Sequence, residues 1–157
     1  MTMKKWLFPV LAAALLLSAC AAPAGQTAEL DLAALGDTLL HSGLFAADLD
    51  PIDGEMAGML YGIDTAQEAV LYVGSGATAD ELALFAFADG DAAQAAVSLA
   101  QERVADQRES FSTYIPAEVE KLDQAVILPY GRYLVVCVSA GSGAEEVIRS
   151  AIDQQAK

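Results

Sequence analysis

Few side chains in this chain could do chemistry alone. Its 157 residues include one histidine, His41, and two cysteines, Cys20 and Cys137. A structural zinc site takes about four His or Cys ligands, more than this stock supplies. His41 falls late in a predicted helix, where a polar or cationic side chain suits the helix dipole. Positive charge is equally scarce. Eight Lys and Arg stand against 22 Asp and Glu, a net charge of −14. A phosphate-backbone binder needs clustered cations, so nucleic acid is excluded as a partner. The same imbalance opposes direct adhesion to anionic lipid. The acids are dispersed, with no long run, and read as a solvated surface that keeps the domain soluble. There is no internal repeat, and no cofactor is expected.

What is present begins at the amino end. Lys4 and Lys5 precede an apolar run over residues 6–17, interrupted only by Pro9, and Leu17-Ser18-Ala19-Cys20 closes it. This is the layout of a secretory signal. The run falls short of the roughly 20 residues that span a bilayer core. The closing tetrapeptide resembles the lipobox of bacterial lipoproteins, in which a diacylglyceryl group is placed on the cysteine sulfur and the signal is cut just before it. The resemblance implies that Leu17, Ser18 and Ala19 form the cleavage motif and that Cys20 carries lipid. The expected location is the cell membrane, lipid-anchored, on the extracytoplasmic face. Two or more acyl chains give stable anchoring. Cleavage removes 19 residues, so 157 − 19 = 138 remain, and loss of two lysines makes the charge −14 − 2 = −16. With Cys20 lipidated, Cys137 has no disulfide partner. It lies in the apolar run 133–138, where it reads as a small buried hydrophobe.

Residues 1–19 are thus the expected signal, and 20–28 the lipidated cysteine with a small, Pro- and Gly-containing tether. Residues 29–157 form a single domain. The pattern predicts a helix over 31–42 with Asp31 as cap, a loop over 44–53, and a short helix over 55–60. Strands follow at 68–73 and 81–88, the second apolar on both faces and so interior to a sheet. The longest helix covers 91–114. Its stripe is Ala93, Val97, Ala100, Val104, Phe111 and Ile115, with Arg103, Asp106, Gln107 and Glu109 turned outward. One further helical turn or two over 117–122, strands at 125–128 and 132–138, and a closing helix at 145–155 complete the chain. The order α-α-β-β-α-β-β-α implies an α+β two-layer sandwich with a mostly antiparallel four-stranded sheet.

Several segments taken together resemble a domain-of-unknown-function family of small lipoproteins from clostridial-type Gram-positive bacteria. They are the lipobox, Tyr61-Gly62-Ile63-Asp64, the strand entry over residues 79–85, the Asp89-Gly90 turn, Tyr114-Ile115-Pro116 and Gly131-Arg132-Tyr133. The resemblance implies the architecture and the envelope address and carries over no site residue.

Candidate sites are few. The acids of residues 48–55 suggest a calcium loop, but the third acid is one place late for an EF-hand and the twelfth position is Met59, so an acidic surface loop is expected. Gly141-Ser142-Gly143 precedes a helix but lacks a P-loop lysine, and Glu145 and Glu146 would repel an anion. Tyr61, Tyr72 and Tyr130 are candidates for an aromatic ligand groove. No catalytic and no metal-binding residue is assigned. The function expected is a non-enzymatic binding or accessory module at the outer face of the membrane, partnered by an envelope protein or wall component. The alternative is a carboxylate-dependent hydrolase acting on cell-wall material.

Overall fold

The computed structural model describes residues 28–156; the signal segment, its motif and Cys20 lie outside the described residues. Strands β1 (Asp50–Ile52), β2 (Glu68–Val73), β3 (Glu81–Ala86), β4 (Val126–Tyr130) and β5 (Tyr133–Val138) form one open sheet. Their order is β1-β2-β3-β5-β4, and every neighbouring pair is antiparallel. Helices α1 (Leu32–Leu40), α2 (Gly54–Tyr61), α3 (Gly90–Tyr114), α4 (Val119–Asp123) and α5 (Ala144–Gln155) surround it, with a 3₁₀ turn at Pro116–Glu118. No helix among the described residues is long and apolar enough to cross a membrane.

The α+β class and the antiparallel sheet are as expected. The strand count and the layering are corrected. The expected loop over 44–53 contains β1, which pairs with β2 through Asp50, Pro51 and Ile52. Acid and proline content hid it, since both residue types are scarce in strands. The expected two layers are three, because β3 and β5 are buried at every position. Alternation sends Leu82, Leu84, Tyr133, Val135 and Cys137 to one face, where Leu32, Leu35 and Leu39 of α1 and Ile148 and Ile152 of α5 cover them. The opposite set, Ala83, Phe85, Leu134, Val136 and Val138, packs under Ala57 of α2 and Ala93, Ala96 and Ala100 of α3. A sheet apolar on both sides demands helices on both sides.

Local chemistry sets the helix starts. Asp31, Asp53 and Asp89 each accept a backbone N–H of the first turn, at 2.9 Å to Ala34, Glu55 and Ala92. Such caps satisfy donors that a helix start leaves orphaned. The outer strands β1 and β4 carry Pro51 and Pro129. Proline cannot donate to a ladder, and edge strands are where a sheet tolerates it.

Candidate functional site

Helix α2 is fixed from behind and open in front. Its inner face is Ala57 and Tyr61, both buried. The Tyr61 ring meets Phe85 edge-on, with centroids 5.1 Å apart. Its hydroxyl donates to Glu81 Oε1 at 2.6 Å. Glu81 opens β3 and is 2% exposed. It also accepts from Arg103 Nη2 and Gln107 Nε2, both at 2.8 Å. The Arg103 guanidinium lies 5.8 Å from the Tyr61 ring centroid, within cation–π range. One carboxylate thus joins α2, β3 and α3. Burial, then the neighbouring Glu81 charge, pushes the Tyr61 hydroxyl well above its ordinary range, so it stays a donor.

Arg103 and Gln107, expected on the outward face, instead reach inward to Glu81, whereas Asp106 and Glu109 are exposed as expected. A signal was available. Residues 96, 100, 103 and 107 follow helical spacing, so Arg103 and Gln107 lie on the flank of the alanine stripe. Glu81 shares its strand face with Ala83 and Phe85, and a carboxylate there calls for a cation.

In front, α2 has no covering element among the described residues. Met59 is 71% exposed, Met56 47% and Leu60 40%. At 100° per residue these three adjoin one another on the outer face. Beside Met59 opens a cleft of about 620 Å³ between α2 and the start of β2, lined in part by Gly54, Gly58, Glu55, Asp64 and Glu68. Two glycines let the helix lie this close. A Cβ at Gly54 would stand 2.8 Å from the Ala69 carbonyl oxygen, and one at Gly58 2.7 Å from that of Ile63. Gly62 then ends α2 in the left-handed region, at φ 64°.

The cleft is acidic, and no ion pair among the described residues compensates it. Arg103, Arg108, Lys121, Arg132 and Arg149 are all committed to ion pairs with other acids. Glu55, Asp64 and Glu68 join none among the described residues. No Lys or Arg occurs between Lys5 and Arg103.

A second polar cluster ties the 3₁₀ turn and α4 to the start of β3. Lys121 Nζ lies 3.0 Å from Asp80 Oδ2 and 2.8 Å from Glu118 Oε2. Glu118 accepts the Ala79 N–H at 2.8 Å, and Thr78 Oγ1 donates to Asp80 at 2.6 Å. Burial opposes the Glu118 charge, but Lys121, the Ala79 N–H and Thr78 outweigh it and hold the carboxyl below its usual range. Burial likewise opposes the Lys121 charge; bonds to Glu118 and Asp80 prevail and raise it. These contacts tie the elements together through Asp80 Oδ2, while the other carboxylate oxygen, Asp80 Oδ1, is buried without a hydrogen-bond partner among the described residues.

The structure separates the three tyrosines. Tyr61 lies on the α2–α3 face of the sheet, and Tyr72 and Tyr130 on the α1–α5 face. Tyr72 on β2 and Tyr130 on β4 have β3 and β5 between them. They share no groove. His41 ends α1, exposed, with Nδ1 2.8 Å from the Asp37 carbonyl oxygen. It lines a separate cleft of about 610 Å³ with Ser142 and Glu146. In the 48–55 segment Asp50 enters β1 and Asp53 caps α2. Among the described residues no three His, Cys, Asp or Glu converge as metal ligands. Cys137 is 1% exposed, and burial pushes its thiol up to about 11.

Residues 44–139 match the family model described as Domain of unknown function (DUF4358). That span contains α2, its cleft and both polar clusters, and excludes α1 and α5. No curated protein and no solved structure matches the chain.

Proposed function

Because this chain belongs to the DUF4358 family of unknown function, we propose from its own residues that it is a non-enzymatic binding module of the bacterial envelope, held to the outer face of the membrane by lipid on Cys20. One observation carries the binding half: α2 turns Met56, Met59 and Leu60 to solvent beside a cleft while its back is bolted to the sheet. Exposed large apolar groups that adjoin one another mark contact surfaces. A rigid support lowers the ordering cost of binding there. Residues 4–20 carry the address half, through the charged start, the apolar run and Leu17-Ser18-Ala19-Cys20.

Two measurements test the halves separately. Cells fed an alkyne-tagged fatty acid label the wild-type chain and leave Cys20→Ala unlabelled and out of the membrane fraction; equal labelling and fractionation reject the anchor. A pull-down from native membranes recovers a partner that Met59→Glu releases; a partner held equally by the variant rejects the α2 surface. The carboxylate-dependent hydrolase on wall material would instead use the acids lining this cleft. Turnover of wall fragments that vanishes in Glu55→Gln or Glu68→Gln would replace the binding reading with that one.

A further inference from the structure

Resting on the binding reading, we infer that the α2 surface takes a cationic amphipathic segment of another protein: an apolar side set against Met56, Met59 and Leu60, with Lys or Arg over the cleft. Three observations converge. The outer face of α2 exposes three large apolar side chains, and two of the three are methionines. Thioethers adapt to varied apolar partners. The cleft wall adds Glu55, Asp64 and Glu68, without a cation in its lining. All five Lys and Arg of the described residues pair with other acids; Arg132 also donates to Gln67 of the lining, but no ion pair among the described residues engages the three cleft carboxylates, which leaves them for a partner's cations.

The same charges choose between occupants. An anionic membrane would bring phosphates against three carboxylates, which is repulsive. A second copy of this chain would bring further acid, at a net charge of −14 over the full sequence. Sheet addition is disfavoured by Pro51 and Pro129 at the two edges. A helix laid along α2, presenting apolar anchors at i, i+3 and i+4 with basic flanks, meets both the stripe and the acids. Charge complementarity of this kind sets partner choice and encounter rate.

The test uses the full protein, purified from the membranes in which it is made and reconstituted in phosphatidylcholine nanodiscs, with empty nanodiscs as the blank. The probes are three 18-residue amphipathic helices of the same leucine pattern, with Lys, Gln or Glu on the polar face, and phosphatidylglycerol vesicles. The Lys peptide is expected to bind and to slow amide hydrogen exchange across α2 and the start of β2. Met59→Ser should weaken it roughly tenfold, and Glu55→Lys/Glu68→Lys should shift preference to the Glu peptide. Preference for the Gln or Glu peptide at α2 would overturn the partner chemistry and leave the binding reading standing. Protection of α2 by vesicles but by none of the peptides would replace the protein partner with lipid. Protection of no α2 residue by any probe would overturn the cationic-segment inference, while the binding reading stands or falls by whether Met59→Glu releases the partner recovered from native membranes.

Discussion

Removing Arg103 should harm the fold more than neutralising its partner, and neutralising the partner should then repair it. Glu81 is 2% exposed, while the Arg103 side chain keeps 21% of its surface in water. In Arg103→Met the carboxylate stays buried beside Tyr61 and Gln107 without its cation. Breaking a buried pair in this way costs about 3–5 kcal/mol. In Glu81→Gln the amide oxygen can still accept from Tyr61 or Gln107, and Arg103 can reach water, so the cost is about 1–2 kcal/mol, near that of one charged hydrogen bond. The double variant buries no charge at this point. It should be more stable than Arg103→Met by about 2 kcal/mol, although it carries one change more. The assay is urea unfolding followed by circular dichroism, with midpoints compared at constant slope. At about 1–3 kcal/mol/M the repair is a midpoint gain on the order of 1 M. A double variant no more stable than Arg103→Met would refute the assignment of Glu81 as a buried charge that Arg103 neutralises.

Gly58→Ala should lower stability by about 1–3 kcal/mol, since a Cβ would meet the Ile63 carbonyl oxygen at 2.7 Å; a thermal midpoint equal to wild type would contradict that approach. Glu118 has a folded pKa below its unfolded value of about 4.3. Its contribution is therefore present above that value and lost as pH falls through the lower folded one. Urea midpoints of Glu118→Gln should fall less than wild type between pH 5 and pH 3, and parallel curves would count against the Lys121 contact. The Cys137 thiol, raised to about 11 by burial, should resist a thiol reagent at pH 8 until denaturant is added. Prompt labelling located at Cys137 by peptide mapping of the native protein would show that β5 opens.

Most of the architecture could be read from alternation and helical spacing. Residues 82–87 alternate with apolar groups on both sides, which requires cover on both faces and so three layers in place of two. β1 escaped because three residues that include Asp50 and Pro51 carry no strand pattern and owe their pairing to β2. The polar cluster was partly legible. Arg103 and Gln107 lie one turn apart on α3, but Tyr61 and Glu81, 20 residues apart in sequence, meet only when α2 packs on the sheet. The cleft was not legible, because it depends on two helix-to-backbone approaches that only the fold reveals. The tyrosine groove failed for a related reason: composition counts aromatic rings but cannot assign them to a side of the sheet.

The prolines at the sheet margins have a bearing on how copies of this molecule meet. A chain whose first and last rows each lack an amide proton offers a newcomer no continuous rung to zip onto. Copies pressed together in concentrated solution are therefore steered away from fibre-like stacking.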